Sequence, residues 1–299
     1  MSAGAAVNMP PFITVVVPTC HRNDTLAQCL DRLAPGVQTL SADRYEVVVC
    51  DDGRKTTAKD MVAERYPWAR WYAGPAKGPG PNRNVGVREA RGEFVAFVDD
   101  DCIPSAEWLA GFAAALSSGI DIYEGKTVCG EGLRSPMEDA PVNEVGGMFW
   151  TCNLMVRRER FLALGGFDEH FRIQEDLDFR LRLKQQGCAH RFVAEALVDH
   201  PPRPIRWGKR NNNFNHDLVA VWYKSGKREP VRRRLLRFIF RERLARLRQY
   251  RCSPASLKAL ASVAEELWYA RRHVDEWEQE FRQRYEGREP AYPFPYPHF

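Results

Sequence analysis

Three adjacent carboxylates, Asp99, Asp100 and Asp101, end the apolar run FVAFV. Like charges repel, and a buried carboxylate without a partner is costly, so a cation belongs beside them. Mg2+ and Mn2+ prefer oxygen ligands, and Mg2+ typically takes one or two carboxylates plus phosphate oxygens. An exposed acidic turn that caps the following helix is the plainer alternative. A second acidic pair, Asp51 and Asp52, ends the run YEVVVC, and Pro18 and Thr19 end a third, ITVVVP. Farther along, EDLDFRLRL puts Glu175 and Asp176 at the start of a helical pattern. A carboxylate there stays ionised because the helix dipole favours negative charge, which suits a general base. Helix capping alone would also account for either acid.

The elements that must hold these groups alternate. Strands are expected at 13–18, 45–53, 69–73 and 93–98, with helices over NDTLAQCLDRL, about 56–65, VGVREA and SAEWLAGFAAAL. GPAKGPGPNRN (74–84) reads as a Gly/Pro loop. Alternating strands and helices predict a parallel, doubly wound α/β sheet, in which ligands bind beyond the carboxyl ends of the strands. All three acidic or turn-forming strand ends fall there. After residue 120 the pattern weakens: strands are expected at IDIYEGKTV, MFWTCNLMV and HRFVAEALVDH. A short helix is expected at RRERFLAL and a longer one over 175–187, with three more over about 211–226, 230–250 and 254–282. The tail PAYPFPYPHF is not helical.

The chain has 299 residues, 44% hydrophobic and 28% charged, within the range of soluble globular proteins. No apolar run reaches the roughly 18 residues that span a bilayer. Residues 1–11 lack the basic start and apolar core of a secretory signal and read as a flexible leader. Eight cysteines include no CxxC pair, so buried reduced thiols are expected rather than a zinc site, in a cytoplasmic setting. Gly-x-Gly-x-x-Gly after the first strand and the P-loop signature are both absent, which removes the phosphate cradle of dinucleotide and P-loop enzymes.

VVVPTCHR, VVVCDDG, PNRNVG, AFVDDDCIP, GGFDEHF and EDLDFRLRL occur together, in this order. In that set the chain resembles the family 2 glycosyltransferases of GT-A fold, over roughly residues 12–200. The resemblance implies a nucleotide-sugar donor, a divalent metal (Mn2+ or Mg2+) and inversion at the anomeric carbon. It implies Asp52 at the nucleobase edge, Pro18 beside the base, Arg83 facing the nucleotide, Asp100 on the ribose, and Asp101 on the metal that bridges the diphosphate. Asp99 becomes the first acid of an Asp-x-Asp signature and Asp176 the general base. His200, ending ALVDH, reads either as a metal ligand or as a structural histidine. Trp150 and Asn153 fall where a sugar would lie, with core packing as the alternative for Trp150. Two departures stand out: CHR where the family has YNR, and DDGRKTT where it has DDGS-x-D. The chemistry is consistent with these roles, since sugar transfer needs the leaving diphosphate neutralised, by a metal and a cation such as Arg83 or Lys77, and the acceptor hydroxyl deprotonated.

Charge divides the chain. Residues 1–200 hold 22 Lys and Arg against 28 Asp and Glu, and residues 201–299 hold 22 against 11. VRRRLLRFIFRERLARLRQYR (231–251) carries nine arginines among leucines and phenylalanines. It reads first as a helix packed on its neighbours and second as one that contacts an anionic membrane surface. No nucleic-acid motif accompanies it. The expected organisation is a GT-A-like, mixed and mostly parallel sheet domain over 12–202 and a basic helical extension over 203–299. The expected activity is metal-dependent inverting transfer from a UDP-sugar to a carbohydrate or lipid-linked acceptor. The alternatives are nucleotidyl transfer and an inactive donor-binding scaffold.

Overall fold

The computed structural model describes residues 13–205, 209–226, 231–248 and 254–292. The expected leader and the end of the tail lie outside them. The strands are β1 (Ile13–Thr19), β2 (Tyr45–Asp51), β3 (Ala69–Ala73), β4 (Phe94–Phe97), β5 (Ile103–Pro104), β6 (Ile122–Val128), β7 (Glu138–Asp139), β8 (Leu154–Arg157), β9 (His190–Asp199) and β10 (Arg203–Pro204). The helices are α1 (Asn23–Leu33), α2 (Lys59–Arg65), α3 (Pro79–Glu89), α4 (Trp108–Ala115), α5 (Arg158–Ala163), α6 (Glu175–Gln185), α7 (Lys209–Lys224), α8 (Val231–Arg248) and α9 (Pro254–Tyr285). Eight strands form one sheet in the order β3-β2-β1-β4-β8-β6-β9-β5, and β7 pairs with β10. β1 is flanked in parallel by β2 and β4, whereas β8 runs antiparallel to both β4 and β6.

β1 shows why its sequence is continuously apolar. Ile13, Val15 and Val17 point into one core, under α1, and Val16 into another, against Val87 of α3 and Phe179 of α6. A strand covered on both faces has no polar side to alternate with. α1 buries Leu26, Leu30 and Leu33, a stripe at helical spacing. A third core joins α7, α8 and α9, and it includes Phe171 and Leu181 of the 166–185 region.

Two expectations change. The Gly/Pro loop is shorter, because α3 already begins at Pro79, where a missing N–H costs nothing at a helix start. The strand expected over 148–156 is confined to Leu154–Arg157. Its first half turns instead: Phe149 sits at φ 56°, and the N–H groups of Gly147, Met148 and Phe149 all donate to the buried Glu124 carboxylate at 2.7–2.9 Å.

Candidate active site

The carboxyl ends of β1, β2 and β4 converge with the start of α6, and two arginines knit the acids together. Arg83, buried on α3, donates to Asp99 Oδ1 at 2.5 Å and to Glu175 Oε1 at 2.6 Å, joining a strand end to the α6 terminus. Arg22 pairs with Asp100 and reaches Asp101 Oδ2 at 2.7 Å. Thr19 Oγ1 donates to Asp100 Oδ2 at 2.7 Å. The three adjacent acids are thus divided between two guanidiniums. Burial opposes ionisation of Asp99, but Arg83 overrides it and holds that carboxyl below its usual range. Burial pushes Asp100 up to about 7 against the pull of Arg22 and Thr19.

Asp101 also faces His200. His200 is fully buried, and its Nδ1 lies 2.9 Å from the Pro201 carbonyl, an acceptor only, so Nδ1 is the donor. In the neutral ring Nε2 then presents a lone pair, 3.4 Å from Asp101 Oδ1. Among the described residues, neither of these two buried atoms has a hydrogen-bond partner. A carboxylate oxygen and an imidazole nitrogen facing each other in this way fit a divalent cation held between them. The Cys102 sulfur lies within 4.8 Å of the pair, and burial drives that thiol well above its ordinary range.

The base candidates are presented by the loop after α5. Gly165 and Gly166 take φ of 80° and 67°, the left-handed conformations that the GG pair permits. Gln174 precedes α6 without capping it; instead, the N–H groups of Arg172, Ile173 and Gln174 donate to Asp217 of α7. Burial pushes Glu175 up to about 7, with Arg83 opposing and Asp176 adding to the rise. Burial raises Asp176 as well, against the Leu177 N–H that it accepts at 2.7 Å. Glu175 is committed to Arg83, and Asp176 is the acid with no cation bonded to it in this network.

The remaining expected residues divide. Asp52 accepts from Ala76 N–H and Gly78 N–H, both at 2.9 Å, so it ties the 74–78 loop to β2 and keeps 8% of its surface exposed. Asp51 accepts from Gly53 N–H, Ala58 N–H and Trp71 Nε1, which makes it the hub of the turn after β2. Lys77 is exposed on the loop, and Pro18 is buried within β1. Trp150 is half-buried against the main core. Asn153 is held within the sheet. Both of its amide hydrogens go to the carbonyls of Lys126 and Ala196, and its oxygen accepts from Trp108 Nε1. It pins β6, β9 and α4 and has no donor left for an acceptor sugar. Sequence reasoning missed Arg22, Glu124 and Asp217. Arg22 was visible in PTCHR, one turn past a strand that faces three acids, whereas Asp217 lies in the part of the chain without motifs.

A mixed, helix-flanked sheet with acids at its central strand ends is the GT-A architecture of enzymes that use nucleotide-sugars. The profile described as "Glycosyl transferase family 2" matches residues 14–165, and the chain belongs to that family. It is a glycosyltransferase. The glycosyltransferase AglE of Haloferax volcanii is 26% identical over 229 residues, 71% of this chain and 74% of that one. Some curated relatives are longer, and the chain spans 43% of one of them. The structure of S. aureus TarS 1–349 in complex with UDP superposes with a TM-score of 0.56 at 21% identity, covering 93% of both chains. The mannosyltransferase PcManGT of Pyrobaculum calidifontis, in complex with GDP-Man and Mn2+, gives 0.51 at 18%, covering 94% of this chain and 77% of that one. At these identities the likeness speaks for the fold.

Proposed function

We propose that this glycosyltransferase uses a divalent metal to move a sugar from a UDP-sugar to a hydroxyl of a carbohydrate or lipid-linked acceptor, with inversion. The observation that carries the reading is the Asp99–Arg83–Glu175 network, which ties the acidic strand end to the start of α6, where Asp176 follows Glu175. Asp101 and His200 would hold Mn2+ or Mg2+, which neutralises charge on the leaving diphosphate when bound. Arg22, with its head at the same acids, adds positive charge at the diphosphate side. The family resemblance assigns Asp100 to the ribose side, where Thr19 and Arg22 hold it buried, and the 74–78 loop braced by Asp52 to the base. Asp176 takes the proton from the acceptor hydroxyl as its oxygen attacks the anomeric carbon. The bond from that carbon to the phosphate oxygen breaks, and its electron pair leaves with the nucleoside diphosphate. Nucleotidyl transfer would leave the acids of α6 without a task, and an inactive scaffold would need neither them nor the Asp101–His200 pair.

Support for UDP comes from the TarS complex, while PcManGT is recorded with GDP-Man; the base is therefore tested directly. UDP and GDP, each with Mn2+ and with EDTA, are compared by thermal shift. A ligand at about 100 times its Kd adds about 2.7 kcal/mol. Stabilisation by UDP that requires Mn2+ and disappears in Asp101→Ala is the expected result. Equal stabilisation with EDTA refutes the metal, and a preference for GDP refutes the uridine reading.

A further inference from the structure

The loop that delivers Asp176 is anchored from outside the family-matched region. Residues 172–174 enter α6 with three successive N–H groups turned away from the helix. Asp217 Oδ2, fully buried on α7, accepts all three, at 2.7, 2.8 and 3.2 Å. Its other oxygen lies 2.9 Å from His216 Nδ1, and His216 Nε2 lies 3.2 Å from Glu280 on α9. The C-terminal helices therefore hold the backbone that aims the base. A single carboxylate oxygen can collect three N–H groups only if those peptides are turned toward it together, so the contact specifies the local conformation and not just the proximity of α7.

We propose that Asp217 is a positioning residue for sugar transfer: it fixes residues 172–174 and so sets the place of Asp176 in the crevice, which makes α7 part of the active site. This rests on Asp176 being the general base. Reacting groups tolerate little displacement, and about 1 Å of misplacement can cost about 10²-fold in rate. Donor binding is assigned to β1, β2, β4 and the 74–78 loop, and among the described residues the hydrogen bonds of Asp217 go to 172–174 and His216 and not to these elements, so it is spared.

The test compares wild type, Asp217→Leu and Asp217→Asn at a temperature well below their melting points, with kcat and the donor KM measured separately and Mn2+-dependent UDP affinity measured by calorimetry. Leu fills the site but accepts no hydrogen bond; Asn still presents one oxygen to the loop. The expected result is a kcat about 10- to 100-fold lower in Asp217→Leu, with donor KM and UDP affinity within about twofold of wild type and most of the kcat retained in Asp217→Asn. If Asp217→Leu does not fold, Asp217→Ser, which withdraws the acceptor from the loop, takes its place under the same criteria. An unchanged kcat, a parallel loss of donor affinity, or an Asn variant no better than Leu overturns the proposal. Asp176→Asn separates the two readings. If it transfers like wild type, the base assignment itself fails; if it is inactive while Asp217→Leu is fully active, only the role of Asp217 fails.

Discussion

Asp176 and Glu175 are neighbours in sequence with different surroundings. Glu175 is bonded to Arg83, and among the described residues Asp176 accepts the Leu177 N–H alone. Asp176→Asn keeps the shape and the capping ability, since Asn caps about as well as Asp. Donor binding should survive, and transfer should fall by about 10²–10⁴-fold, the usual share of a general base. Glu175→Gln should retain more activity, and the reverse order in a transfer assay would move the base to Glu175. Because burial raises Asp176, its basic form appears only at higher pH than for an ordinary aspartate. The acid limb of the kcat profile should sit correspondingly high and vanish in Asp176→Asn. Glu175 makes a stability prediction of definite sign. Its folded value of about 7 exceeds its ordinary 4.5. The folded chain therefore binds more protons in that window, and the contribution present below it is lost as pH rises through 7. The melting temperature of wild type minus that of Glu175→Gln should fall between about pH 5 and pH 8. At this scale the acids were legible because strand ends and helix starts declare them. Their cations were half legible: Arg83 stood in a motif, while Arg22 stood in one that departs from the family.

The 74–78 loop and the 143–149 turn show what pattern reading misses in whole elements. Both are shaped by a buried carboxylate distant in sequence, Asp52 for the first and Glu124 for the second, and local propensity carries no trace of such a partner. MFWTCNLMV has the composition of a strand throughout. Glu124, one strand over, draws its first two N–H groups aside together with that of Gly147, and the strand pairing begins only at Leu154. The alternating β1–α1–β2 half was readable because each strand is buried on both faces. At Gly74 a Cβ would come within 2.1 Å of Asp52 Oδ1 and 2.2 Å of Asn82 Oδ1. Gly74→Ala must therefore push the carboxylate off the loop. Calorimetry should show UDP affinity reduced about tenfold or more with the metal site intact, and an unchanged affinity would place the base elsewhere.

Across the whole molecule the C-terminal helices are fastened to the catalytic half by buried charge as well as by their shared core. Lys224 of α7 lies 2.7 Å from Asp168 and 2.6 Å from Asp178, and Tyr292 OH donates to Asp178. Lys224→Met should cost about 1–3 kcal/mol in denaturant unfolding, because it removes one of the two cations bonded to the buried Asp178 and leaves Arg182 as the other. The Arg-rich segment resolves into packing and surface: Val231, Leu235 and Ile239 enter the core, and Arg233, Arg237 and Arg241 face outward. No helix among the described residues is long and apolar enough to cross a membrane. This arrangement bears on how such enzymes diversify. A lineage that exchanged its C-terminal helices would discard Asp217 and Lys224 with them. It would lose the anchor of the 172–174 backbone and one of the two counterions of a buried acid. The residues that lead into α6 and the helices that hold them are therefore inherited together here, and change in the C-terminal helices must come by substitutions that leave the α6–α7 contacts standing, not by exchange of modules.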